Sequence, residues 1–175
     1  MTATPIVRHP DSAWRLRSTL SSATFAVANL GGLKTVRGQI PIREAWVAEA
    51  APGRPAAVGA VLDLAALDTG HARRDADLRK PRLLDTAKYP TLTFVSSTIA
   101  NEDGAWSVAG TLSGCGHRTA VTLHVAANAN ADGTMHVHAT TEFDRRDLGI
   151  TAPRLLIGRR IRVTIDAVFA AYSHG

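Results

Sequence analysis

The sequence contains seven histidines, which could supply metal ligands and therefore suggest a site. His136 and His138 are two residues apart, so an extended strand turns both rings to one face, and His124 could join them from a neighbouring strand. Such a set suits zinc or copper. However, the apolar residues Met135 and Val137 alternate with the two histidines, which places both rings on the wet outer face. No carboxylate or cysteine stands at ligand spacing in this segment, and we therefore expect no metal site.

Cys115 is the single cysteine, and His117 follows it two residues later. One cysteine excludes an intrachain disulfide and a four-cysteine zinc site. A cysteine nucleophile needs a base that a third group orients, and no third group accompanies this pair. The sequence also lacks a Gly-x-Ser-x-Gly elbow and the glycine patterns of phosphate-binding loops. We therefore expect no catalytic residues, no cofactor and no enzyme activity.

Basic residues give the chain a formal net charge of +5, from 20 Lys and Arg against 15 Asp and Glu. Most of the excess lies at positions 71–82 and between Arg145 and Arg162. Clustered arginines neutralise phosphates, so nucleic-acid binding is one alternative function. Acidic residues are interleaved with these arginines, and aromatic residues that could stack on bases make up only 5%. The pattern is more typical of a solvated or internally paired surface than of a nucleic-acid interface.

The elements that position these side chains are strands, because apolar residues recur at every second position over much of the chain. Alternation of this kind is typical of antiparallel strands with one buried face and one wet face. Asp-Gly pairs at 103–104 and 132–133 predict hairpin turns between them. The apolar alternates are Trp106, Val108 and Leu112; Val121, Leu123 and Val125; Met135, Val137, Ala139 and Phe143; and Ile161, Val163, Ile165, Ala167 and Phe169.

The alternation stops at residues 64–89 and again at 144–158. In the first break, Asp68 and Thr69 could cap a short helix that continues to about Lys80. The sequence thus predicts an all-β fold, an antiparallel sheet of about eight strands with one or two short helices. Such a sheet most naturally closes into a barrel, which leaves no exposed edge, and a two-sheet sandwich is the alternative. Eight strands leave room inside for packed side chains or one small ligand.

A chain of 175 residues has the length of one domain. No run of 18 apolar residues is present that would predict a membrane-spanning helix, and no apolar signal-peptide core is visible at the start. We expect one domain at residues 13–172, with an N-terminal extension at 1–12 and a tail at 173–175. The expected location is cytoplasmic.

Several ordered segments of the chain resemble the YceI-like family. The match runs over about residues 13–172, and the order and spacing of its motifs make it specific although each motif is weak. It continues to Ile157-Gly158 before the last strand. The motifs are Leu67-Asp68-Thr69-Gly70, Arg74-Asp75-x-x-Leu78-Arg79, Asp85-x-x-Lys88-Tyr89-Pro90-x-Leu92-x-Phe94-x-Ser96 and Arg146-Asp147-Leu148-Gly149-Ile150.

The resemblance implies a lipocalin-like barrel that binds or carries, without catalysis, a polyisoprenoid, an isoprenoid quinone or a related lipid, and that can form a homodimer. An enzyme with a site inside the barrel ranks below the nucleic-acid alternative. Leucines at 83 and 84 replace a pair of phenylalanines of the family, which reshapes the pocket. The candidate ligand-binding residues are Phe25, Val27, Leu62, Leu78, Leu83, Leu84, Phe94, Leu112, Phe143, Leu148 and Ile157.

Four polar residues match the most specific polar positions of the family: Arg74, Asp75, Arg146 and Asp147. We interpret them first as two structural pairs, Arg74 with Asp75 and Arg146 with Asp147, that fix the two segments without alternation. Contact with the head group of a ligand is the second interpretation, because binding pockets contain few but orienting polar groups.

Overall fold

A computed structural model describes residues 12–153 and 157–172 of the chain. The predicted tail at 173–175, and all but the last residue of the predicted extension at 1–12, lie outside the described residues. The described part contains ten β-strands and one α-helix: β1 Ser12–Leu16, β2 Ser22–Asn29, β3 Lys34–Ile40, β4 Ile42–Ala51, β5 Arg54–Asp63, α1 Ala72–Leu78, β6 Thr91–Glu102, β7 Ala105–Gly114, β8 His117–Ala129, β9 Thr134–Asp144 and β10 Arg160–Ala171.

The ten strands form an antiparallel barrel of eight, because two pairs of them are the halves of bent strands. β1 and β2 are separated by a 3₁₀ turn at Ser18–Leu20, and β3 and β4 by Pro41 alone. β10 pairs with β2 from Ile161 to Asp166 and with β1 from Phe169 to Ala171, which closes the sheet on itself. The predicted all-β barrel of about eight strands is confirmed, and the sandwich alternative is wrong.

From β7 to β10, the sequence alternation correctly predicts which face of the strand is buried. On β8, Val121 and Leu123 are buried whereas Thr122 and His124 are exposed. The predicted hairpin at Asp103–Gly104 joins β6 to β7, and both residues adopt the positive φ angles, 52° and 88°, that a tight hairpin favours. The inner faces of the strands therefore form the core of the barrel.

The helix differs from its prediction at both ends. It begins after His71, whose Nδ1 accepts a hydrogen bond from the main-chain N–H of Arg74 at 3.3 Å, and it ends at Leu78. The predicted cap residues are wrong because Asp68 is held extended: its main chain exchanges hydrogen bonds of 2.7 and 2.9 Å with Gln39 of β3. Thr69 instead bonds to Asp75 within the helix.

The two ends of the barrel are built differently. One end, the closed end, carries the connections β5–β6, β7–β8 and β9–β10, and Leu67, Leu148 and Ile150 from these connections are buried in the core there. Among the described residues, the connections at the other end, the hairpin end, are the turns β4–β5, β6–β7 and β8–β9. In the described ranges no helix combines the length and the apolar character needed to cross a membrane.

Candidate functional site

A cavity of about 310 Å³ lies inside the barrel. Its walls come from the inner faces of β1, β4–β10, and they include Gly53 and Pro55 of the β4–β5 turn and the exposed Ala129 of β8. The cavity therefore reaches the hairpin end. Within the described residues, Glu49 and Thr141 are the only wall residues with a charged or hydroxyl side chain. An almost entirely apolar enclosure with few polar groups is the usual form of a small-molecule site.

Four of the candidate ligand-binding residues line this cavity: Leu62, Phe94, Leu112 and Phe143. They lie on four different strands, because antiparallel neighbours turn every second residue to the same interior. Leu62, Phe94 and Leu112 are buried, and Phe143 is half-buried. Their contact with a ligand stays a prediction, but their position in the wall is established.

The other seven candidates are not part of the cavity wall. Leu148 is buried in the core at the closed end, in a 3₁₀ turn. All seven belong to β2 or to the connections of the closed end, where apolar side chains fill the barrel. Phe25, Leu78, Leu83 and Leu84 pack against the core, and Val27 and Ile157 are half-buried.

Asp75 is buried and joins the helix to the loop before it. Its carboxylate accepts hydrogen bonds from the main-chain N–H of Thr69 at 3.1 Å and from the Thr69 hydroxyl. Burial raises the pKa of Asp75, but these hydrogen bonds and the charges of Arg79 and Arg74 outweigh it and hold the pKa below its usual value. Arg74 donates to the Thr69 hydroxyl at 2.8 Å. Arg74 and Asp75 are thus linked through Thr69.

Arg146 does not hydrogen-bond to Asp147, its predicted partner, although the charge of Asp147 acts on it. The Arg146 guanidinium binds Asp144 instead, with Nε 3.0 Å from both carboxylate oxygens, and Asp144 also accepts from the Arg146 main-chain N–H at 2.9 Å. Asp144 stands just before the 3₁₀ turn, where its carboxylate caps the free N–H groups, whereas Asp147 is exposed. None of the four polar candidates lines the cavity.

Arg145 has a structural role that the sequence did not reveal. Only 2% of its surface is exposed, although it opens an Arg-Arg run that resembles a solvated patch. Its side chain holds the β9–β10 connection together. Its guanidinium donates to four main-chain carbonyls: those of Gly158 at 3.0 Å, Ile150 at 2.6 Å, Ala152 at 2.6 Å and Ile157 at 3.2 Å.

In the part of the chain that the structure describes, the remaining reactive side chains do not assemble into a catalytic set. Burial, with a smaller effect from the charge of Asp85, raises the pKa of the Cys115 thiol to about 11, so at neutral pH the thiol is protonated and a poor nucleophile. His117 Nδ1 lies 3.0 Å from the Cys115 carbonyl oxygen. On the outer face, His138 bonds to Asp166 at 2.7 Å. No group of three metal-ligating side chains occurs in residues 12–153 and 157–172.

Comparison with known proteins identifies the family to which this barrel belongs. The family model of the YceI-like domain matches residues 14–169, which is most of the chain. The chain belongs to the YceI-like family. The YceI protein of Escherichia coli O157:H7 is 35% identical over 75 residues, which cover 43% of this chain and 39% of that protein. The chain therefore matches less than half the length of this curated relative.

Two solved structures share the fold of this barrel. BcnA from Burkholderia cenocepacia superimposes with a TM-score of 0.78 at 19% identity, over 87% of this chain and 98% of BcnA. A polyisoprenoid-binding domain from Saccharophagus degradans, implicated in plant cell wall breakdown, gives a TM-score of 0.76 at 18% identity over 92% and 99% of the two chains. At these identities the likeness shows the barrel fold.

Proposed function

We propose that this protein binds or carries an apolar ligand, such as a polyisoprenoid, an isoprenoid quinone or a related lipid, inside the barrel and without catalysis. The observation that carries the proposal is the apolar cavity that reaches the hairpin end. Membership of the YceI-like family and the fold shared with a polyisoprenoid-binding domain support it. The predicted homodimer and the cytoplasmic location are part of the same proposal.

The cavity wall supplies enough free energy for binding without specific polar contacts. Each methylene that leaves water contributes about 0.8 kcal/mol, so a chain of several isoprene units can bind tightly by burial alone. The volume of about 310 Å³ lies at the lower end of the range of small-molecule sites, about 300–1,000 Å³. This favours a ligand of moderate length over one with a very long chain.

Two measurements test the proposal. Mass spectrometry of an organic extract of the purified protein should detect a co-purifying lipid, and farnesol, a fifteen-carbon isoprenol, should displace the neutral dye Nile red from the protein. Failure of farnesol and of longer isoprenols to bind, together with an extract free of lipid, would contradict the proposal.

Two neighbouring alanines provide a matched pair of variants. Ala127 on β8 is half-buried and lines the cavity, whereas Ala126 is exposed on the outer face. Ala127→Phe narrows the cavity near its mouth and should weaken farnesol binding at least about tenfold, equivalent to about 1.4 kcal/mol. Ala126→Phe adds the same ring outside and should leave the affinity within about twofold, because it buries no ligand surface. Equal effects would show that the ligand does not enter the barrel.

A further inference from the structure

Glu49 is the one charged side chain in the described wall of the cavity. It lies near the end of β4, beside the β4–β5 turn, and is half-buried. If the chain of a ligand fills the interior, its head group would therefore lie next to this carboxylate at the hairpin end. The function proposed above gives Glu49 no role, because an apolar chain needs no acidic partner.

The carboxylate is held in place through one of its two oxygens. The indole N–H of Trp14 donates to Oε1 at 3.0 Å, and the main-chain N–H of Gly53 donates to the same oxygen at 3.3 Å. Trp14 packs against the core, and Gly53 adopts a φ of 74° in the turn, so both donors are set by the fold. Two donors on one oxygen orient the whole carboxylate.

The second oxygen, Oε2, has no protein donor among the described residues. A carboxylate oxygen has room for further hydrogen bonds, and it is costly to enclose beside an apolar ligand unless it receives one. A head group that donates a hydrogen bond removes this cost. An anionic head group brings a like charge next to Glu49 instead, in a partly enclosed site where solvent screens charges poorly.

We infer that Glu49 selects the head group of the ligand at the mouth of the cavity, favouring alcohols, phenols and amines over carboxylates and phosphates. The inference rests on the proposed function, because it needs the chain of the ligand to occupy the barrel. It states a chemical class for the ligand, an amphiphile with a hydrogen-bond donor at its polar end.

The test compares three ligands that share one fifteen-carbon chain: farnesol, farnesylamine and farnesoic acid. Their affinities are measured at pH 8, where the acid is ionised, by displacement of Nile red. Farnesol and farnesylamine should bind the parent protein at least about tenfold more tightly than farnesoic acid, as expected for one hydrogen bond to a charged group. In Glu49→Gln the amide retains an oxygen for Trp14 and gains a donor, so the preference should fall to within about threefold.

Glu102→Gln is the matched control, because Glu102 is exposed on the β6–β7 hairpin at the same end and lies outside the cavity wall. It should retain the full preference of the parent protein. Equal binding of the three ligands to the parent, or an equal loss of preference in both variants, would overturn the role of Glu49 while leaving the binding function intact. If none of the three ligands binds, the proposed function itself fails.

Discussion

At the scale of single residues, two adjacent arginines show how differently the barrel uses the same side chain. Arg145 is buried and donates to main-chain carbonyls, whereas Arg146 is exposed and binds Asp144. A guanidinium is suited to the first task because its five N–H donors form a rigid fork. The energetic consequences of removing the two side chains should therefore be very different.

We expect Arg145→Met to lower the free energy of unfolding by at least about 3 kcal/mol, because four buried or part-buried carbonyls lose their donor at once and each unsatisfied buried group costs about 1–3 kcal/mol. Arg146→Met is the matched control and should cost less than about 1 kcal/mol, as exposed ion pairs do. Urea unfolding followed by circular dichroism measures both. Similar losses in the two variants would contradict the assigned role of Arg145.

At the scale of the strands, the barrel makes room for large rings by placing glycine next to them on the neighbouring strand. A Cβ atom at Gly110 on β7 would lie 2.4 Å from the carbonyl oxygen of Val95 and 2.6 Å from the ring of Phe94. The same arrangement places Phe25 over Gly38 on β3. The nearest atom to that Cβ is a main-chain oxygen, so a change of side-chain rotamer alone cannot make room for a side chain at position 110.

A valine at position 110 should therefore destabilise the barrel. Inserting bulk into a well-packed core costs about 1–3 kcal/mol, and we expect Gly110→Val to lie at or above the upper end of that range. Ala120→Val is the control, because Ala120 is an exposed residue of the adjacent β8 and valine is favoured in strands. Thermal unfolding should show a large loss for the first variant and little change for the second. An equally stable Gly110→Val protein would show that the contact with Val95 can relax.

The sequence predicts some strands well and others poorly, for a physical reason. From β7 to β10, large apolar residues such as Val121 and Leu123 alternate with polar ones, so the period of two is visible and the inner face is predicted correctly. Positions 42–62 are rich in alanine, and the β4–β5 pairing shifts register between Ala48 and Glu49. Apolar and polar positions are therefore hard to tell apart there, and the inward-facing positions change at the register shift. For this reason the sequence did not point to Glu49.

The helix cap and Arg145 were missed for another reason. Both depend on main-chain groups. Asp68 is held extended by Gln39, which is distant along the chain. Arg145 is surrounded by four carbonyls of the β9–β10 connection, which point toward it only because of the conformation of that connection. Side-chain patterns carry no information about such partners. The family motifs at Arg74, Asp75 and Arg146 did point to the segments that close the barrel, although not to the partner of each residue.

At the scale of the whole molecule, much of the basic excess has a structural use. Arg79 donates to the carbonyls of Ala65 at 2.8 Å and Leu67 at 2.7 Å, as Arg145 does in its own connection. Other cations bind carboxylates, including Lys80 with Asp77. Cations used in this way hold the connections of the closed end together. The net charge of +5 is therefore weak support for nucleic-acid binding, and the apolar cavity favours the lipid alternative.

Several carboxylates with a lowered pKa should make the fold sensitive to acid. Hydrogen bonds from neighbouring side chains hold the pKa of Asp77, Asp132, Glu142 and Asp144 below its usual range. The pKa of the buried Asp75 is also lowered. A carboxyl group whose pKa is lower in the folded state stabilises that state fully above its unfolded pKa, about 3.9 for Asp and 4.3 for Glu. This stability is lost as the pH falls through the folded pKa.

We therefore expect the free energy of unfolding to change little through these groups between pH 7 and about 5.5, and to fall steadily below about pH 4. Asp75→Asn keeps an oxygen for Thr69 but cannot ionise, so it should lower stability at pH 7 and show a shallower decline in acid than the parent protein. Asp103→Asn, on the exposed β6–β7 hairpin, should follow the parent profile. Urea unfolding at pH 7, 5, 4 and 3 measures the three profiles. If Asp75→Asn declines as steeply as the parent, the acid sensitivity does not arise at the link between the helix and the loop at Thr69.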